Sequence, residues 1–157
     1  MLQRIAFAIS IMLLASSSMA VDKWGTAVAK KGERAIVFRF VEDLGPGFDR
    51  SAQPDRIIVQ WPYFQESGMP TTGERERMDQ FEDLLAPVIE NDGLSTLALV
   101  STGENLREWI CYTKSEREFL ARLNSALRKY PPFPVKILTA RDPAWSSYQK
   151  FKDGLKR

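Results

Sequence analysis

Apolar residues recur along this chain in two rhythms, and the switches between them mark the elements. Over residues 24–29 and 34–41 they alternate, with Ile36, Phe38 and Phe40 on one side and Val37 and Arg39 on the other. A period of two is the signature of a strand. Lys30-Lys31-Gly32-Glu33 lies between the two runs and reads as the turn of a β-hairpin. Gly45-Pro46-Gly47 then breaks the pattern, and the loop to Pro54 is polar. Alternation resumes over residues 56–64, where Ile57, Val59, Trp61 and Tyr63 face away from Gln60 and Pro62. Proline cannot donate to a ladder, so Pro62 ends this strand or sets it at an edge.

The period then lengthens. Met78, Phe81, Leu84, Leu85, Val88 and Ile89 form a helical stripe. Thr71 or Thr72 can cap it, with Glu74 at capping-box spacing from Thr71. Pro87 is expected to kink its last turns, and Asn91-Asp92-Gly93 stops it. Residues 96–102 and 107–113 are two strands about a Gly103-Glu104-Asn105 turn. Ser115 and Glu118 open a second helix, striped by Phe119, Leu120, Leu123, Ala126, Leu127 and Tyr130 and ended by Pro131-Pro132. Residues 135–140 are a last strand. Asp142 then offers a cap and Pro143 a first helical position. Trp145, Tyr148 and Phe151 follow at helical spacing.

From residue 56 the order is strand, helix, strand, strand, helix, strand. That is the βαββαβ order of a ferredoxin-like sandwich. The expected fold is therefore α+β, with an extra N-terminal hairpin and a short C-terminal helix. Residues 21–157 form one domain in this reading.

The first residues change the picture of where the chain works. One positive charge, Arg4, precedes an apolar run over residues 5–15, and Ser18 and Ala20 supply the small residues of a cleavage site. This is the pattern of a secretory signal peptide over residues 1–20, cut after Ala20. The run is shorter than the roughly 20 residues a membrane helix needs. The expected location is the periplasm or the medium, with no membrane attachment after cleavage. One cysteine, Cys111, permits no internal disulfide. Charge is uneven: residues 21–106 carry 9 basic and 15 acidic groups, and residues 107–157 carry 12 and 5. Acidic Glu76, Asp79 and Asp83 on the first helix beside Arg117, Arg122 and Arg128 on the second account for this without a nucleic-acid partner.

Several segments resemble the bacterial domain of unknown function 695 family. They are Trp61-Pro62-Tyr63, Met69-Pro70-Thr71, Phe81-Glu82-Asp83-Leu84, Ser101-Thr102-Gly103, the run 107–114, and above all Asp142-Pro143-Ala144-Trp145-Ser146-Ser147-Tyr148. The resemblance covers nearly all of the chain after residue 20. It implies a ferredoxin-like sandwich, similar in some members to the regulator-of-ribonuclease-E B family. It implies no reaction, cofactor or catalytic residue, and a cytoplasmic ribonuclease-regulating role conflicts with the signal peptide.

Chemistry narrows by what is missing. There is no histidine, which excludes Ser-His-Asp and Cys-His catalysis. With one cysteine besides, a zinc site is not expected, nor any other metal or cofactor. No glycine-rich loop has phosphate-binding spacing. Glu76, Asp79 and Asp83 share a helix face but converge too few oxygens for calcium. Glu104 and Glu108 flank a turn and are candidates for a paired acid and base. Cys111 reads either as a small buried hydrophobe or as a reactive or dimer-forming thiol. Trp61, Tyr63, Trp109, Tyr112, Trp145 and Tyr148 are the candidate surface for a ligand or partner, aromatic rings being enriched at hot spots. The other reading makes them core. The function expected is a non-catalytic periplasmic binding or protein-interaction module, a monomer or weak dimer, binding an unknown periplasmic protein or small ligand. A small carboxylate-dependent hydrolase is the alternative.

Overall fold

The structure, a computed structural model, describes residues 23–156. The expected signal peptide lies outside the described residues. One six-stranded antiparallel sheet carries three helices. Its strands are β1 (Lys23–Lys31), β2 (Arg34–Asp43), β3 (Asp55–Pro62), β4 (Ser95–Gly103), β5 (Leu106–Thr113) and β6 (Lys136–Arg141), in the order β1-β2-β4-β5-β3-β6. The helices are α1 (Thr72–Glu90), α2 (Glu116–Leu127) and α3 (Ser146–Gly154). The hairpin turn is tighter than its composition suggests. Lys30 and Lys31 stay in β1, and Gly32-Glu33 alone turns the chain, with Gly32 at φ +63°. A two-residue turn of this hand needs that left-handed glycine. Pro62 ends β3, which is an inner strand between β5 and β6.

Alternation sorts the strand residues between two cores. Ile57, Val59, Trp61, Val100, Trp109 and Cys111 face α1 and α2, whose Met78, Phe81, Leu85, Phe119 and Leu123 complete the larger core. The predicted stripes fall on these faces, with Leu84 half-buried and Tyr130 exposed beyond the end of α2. The capping box forms: Glu74 N–H donates to Thr71 Oγ1 at 3.2 Å, and Thr71 N–H to Glu74 Oε2 at 2.8 Å. α1 runs on through Pro87 to Glu90.

The opposite face carries a second, smaller core of Ala98, Tyr112, Trp145 and Tyr148, flanked by Leu44, Phe48 and Ile110. α3 lies over this face. It starts three residues later than its sequence suggests, because Asp142-Pro143-Ala144-Trp145 forms a turn in which Trp145 N–H donates to Asp142 O at 3.0 Å. Asp142 still caps the helix, accepting from Ser146 N–H at 2.8 Å and Ser147 N–H at 3.2 Å. From there α3 crosses toward β2, where Phe151 packs on Phe38 and Phe40 at centroid distances of 5.0 and 5.2 Å. The expectation of acidic α1 against basic α2 is met differently. Asp79 and Glu82 of α1 pair with Arg107 and Arg39 on the sheet, and Arg122 of α2 reaches Asp92 in the turn after α1.

Candidate functional site

The six aromatics named from the sequence divide between the two faces. Trp61 and Trp109 face α1 from β3 and β5. Phe81 lies edge-on to Trp61 at 6.1 Å and 5.1 Å from Trp109. Tyr63 flanks the same cluster, and its hydroxyl donates to Gly68 O at 2.9 Å. Burial, and then the charge of Glu74, push its pKa up to about 12. Tyr112, Trp145 and Tyr148 lie on the other face. Tyr112 stacks on Trp145 with centroids 4.0 Å apart and planes 9° apart. The sheet thus separates Trp61 and Trp109 from Tyr112, Trp145 and Tyr148. Those five are at most 3% exposed. Their faces are filled by protein, as in the core reading.

Two polar clusters hold these cores. In the first, Glu82 accepts from Trp109 Nε1 at 2.8 Å, from Arg107 Nη2 at 3.0 Å and from Arg39. Arg107 also reaches Asp79 at 3.2 Å and stands 5.0 Å over the Trp109 ring. Burial opposes the charge on Glu82, but the Trp109 N–H, then Arg39 and Arg107, outweigh it. They hold its carboxyl below the usual glutamate value. In the second, Asp142 accepts from Tyr112 Oη at 3.0 Å besides capping α3. Arg56 lies 3.9 Å from Asp142 and donates to the Ser147 hydroxyl. Burial opposes the charge on Asp142, and the N–H groups of Ser146 and Ser147, then the Tyr112 hydroxyl, hold the carboxyl low. Burial and the Asp142 bond push Tyr112 up.

The other candidates do not converge. Glu104 pairs with Lys31 at 3.3 Å. Glu108, beside Trp109 in β5 and so on the opposite face, accepts from Gln60 Nε2 at 2.7 Å. Asp79 is on the α1 side, and Glu76 and Asp83 are exposed on α1. Among the described residues, no group of three or more Asp, Glu, Cys or His is placed to hold a metal ion. Cys111 is buried, and burial, then the nearby charge of Glu82, push its thiol up, so it is no thiolate near neutral pH.

Two surface features remain. A cleft of about 290 Å³ opens between α3 and the chain after β2, lined by Glu42, Asp43, Phe48, Arg50, Tyr148 and Lys152 among others. Two of its cations are already engaged: Arg50 donates to Gln149 at 2.9 Å and lies over Tyr148, and Lys152 donates to Glu42 O at 3.0 Å. The second feature is the hairpin. β1 is the outer strand, and Trp24, Val28 and Val37 leave 41%, 64% and 37% of their area in water on one face. Sequence reasoning placed Trp24 at the start of the hairpin without joining it to the valines that share its face. The signal was Val28 and Val37, apolar and in register across the hairpin.

Residues 22–152 match the family described as a family of unknown function, DUF695. The chain belongs to the DUF695 family. The match runs from the start of β1 into α3, so both the hairpin and the helix on the second face are part of the DUF695 unit. No curated protein matches the chain.

Proposed function

We propose that this DUF695 protein is exported and acts as a non-catalytic periplasmic binding or protein-interaction module, built on a ferredoxin-like sandwich from β3 to β6. The order β6-β3-β5-β4, with α1 and α2 on one face, supports the fold reading. The observation that carries the functional reading is the hairpin. It extends the sheet past α1 and α2 and leaves an apolar stripe and the outer edge of β1 in water among the described residues. A free edge is a template for pairing with another chain. The separation of Glu104 and Glu108 from Asp79 and Asp83 favours binding over hydrolysis, which needs two carboxylates facing one bond. No helix among the described residues is long and apolar enough to cross a membrane.

Two measurements test the reading. N-terminal sequencing of the protein from the periplasmic fraction is expected to begin at Val21. A photo-crosslinking residue at Val28 is expected to give adducts in cells, and one at Asp83 on α1 is expected to give none. Retention of residues 1–20 in the cytoplasm, or equal crosslinking from both positions, contradicts it.

A further inference from the structure

We infer that the hairpin edge pairs with a second copy of this chain, β1 antiparallel to β1 about Ala27, joining two sheets into one; the inference rests on the interaction-module reading and names its partner. The turn fixes which groups point outward. Gly32-Glu33 is a two-residue turn, so Lys31 and Arg34 are the closing pair that exchanges both hydrogen bonds. Bonded pairs recur at every second position, which assigns Ala29–Ile36, Ala27–Phe38 and Gly25–Phe40 to the β1–β2 ladder. The backbone N–H and C=O groups of Trp24, Thr26, Val28 and Lys30 therefore point away from β2.

Such an edge meets its own copy in a register where outward groups face outward groups. Pairing about Ala27 does this. It sets Thr26 opposite Val28 twice and Trp24 opposite Lys30 twice. Each of those pairs exchanges two hydrogen bonds, and Ala27 meets Ala27 as a close pair without hydrogen bonds. Residues 25–29 are Gly, Thr, Ala, Val and Ala. They carry no proline and no charge, and their only register shift is outside them, between Lys23 and Trp24.

Charge decides between a second copy and an unrelated strand. Lysines commonly guard edges against pairing, and here they stand only at the ends. Lys23 and Lys31 face each other in this register, but each is held by a carboxylate of its own chain, Glu42 at 3.0 Å and Glu104 at 3.3 Å. The junction therefore brings two ion pairs together at each end rather than two bare cations. Lys30 has no ion pair among the described residues. The register lays it beside the Trp24 of the other copy, where an ammonium over an indole ring is attractive. Trp24 and Val28 from both copies then form one apolar strip on one face.

The test is sedimentation of the whole chain as recovered from cells, over a dilution series. The expected result is a species of twice the single-chain mass that dissociates on dilution. Val28→Pro removes an outward N–H and none of the β1–β2 bonds, so it is expected to weaken the dimer at least tenfold while the circular dichroism is unchanged. Val28→Lys keeps the backbone and is expected to act in the same direction, covering the case that the proline variant misfolds. Ala27→Cys is expected to give a disulfide-linked dimer with copper–phenanthroline, since the close pair sets Cα atoms about 4.5 Å apart. Ala29→Cys, which meets Gly25, is not. A monomer throughout the series overturns the inference, as does a dimer indifferent to Val28→Lys or crosslinked equally through Ala29. If the wild type is monomeric and Val28 still crosslinks to a different protein in cells, the interaction module stands and the second copy is wrong.

Discussion

Trp145 holds a backbone conformation that its side chain disfavours. Its φ of 55° and ψ of 40° are left-handed, unusual for a bulky residue and costing about 1–3 kcal/mol. Three contacts outweigh that cost. The ring stacks on Tyr112, its Nε1 donates to Gln53 O at 3.0 Å, and Phe48 closes edge-on at 5.3 Å. Trp145→Ala keeps the strain and loses the contacts. It is expected to destabilise by about 3–5 kcal/mol in urea unfolding with an unchanged slope. Glu82 gives a pH prediction. Its folded carboxyl is held below the usual value of 4.5, so its ionised contacts contribute fully above that pH. The contribution falls away as pH drops through the lower, folded value. The acid limb of the wild-type stability profile is expected to flatten in Glu82→Gln, with the difference between the two proteins shrinking as pH falls below the usual glutamate value. An identical acid limb in both contradicts the assignment. Cys111 supplies an internal reporter: being buried, its thiol is expected to react with a maleimide only at the rate at which the larger core opens.

At the scale of elements, strands and helices were legible because periodicity reports burial directly. Ile57, Val59 and Trp61 alternate in sequence and share one face in space, and of the two caps the sequence leaves open, Thr71 and Thr72, it is Thr71 that closes the box with Glu74 at the start of α1. The sites were less legible, because alternation says that Trp109 and Tyr112 lie on different faces of β5 but not which helix covers each. Six aromatics therefore looked like one surface and became two cores. Glu82 was visible in part, four residues after Met78 and so at the border of the buried stripe. That three donors meet there depends on β2 and β5 being brought beside α1, which local pattern does not encode. The junction of the hairpin with the rest of the sheet has its own weak point. Gly103 ends β4 beside β2, and a Cβ there would meet Ala35 O at 2.5 Å and Ile36 Cα at 2.8 Å, both backbone. Gly103→Ala is expected to cost about 1–3 kcal/mol. Hydrogen exchange is expected to localise the loss to β1 and β2 while β3 and β6 stay protected.

For the whole molecule, the two cores make unequal demands on the chain. The larger one is assembled from β3, α1, β4, β5 and α2, in sequence order. The smaller one joins Tyr112 in β5 to Trp145 and Tyr148 near the end of the chain, and Tyr148 donates its hydroxyl to Val41 O at the end of β2. Part of the charge imbalance along the sequence is resolved at this scale too, because Arg107 of β5 and Arg122 of α2 pair with carboxylates of acidic α1 and of the turn after it. Composition alone suggests a basic face for residues 107–157, and the ion pairs of Arg107 and Arg122 explain why part of that charge is spent internally.

The lateness of α3 has a consequence for the moment of folding. Trp145, Tyr148 and Phe151 follow every strand in the chain, and together with Leu44 and Phe48 they roof the second face of the sheet. A nascent chain that has not reached Asp142 exposes Tyr112 and Ala98 to water and cannot tie β2 to the C-terminal helix. The second core closes only once α3 has been made.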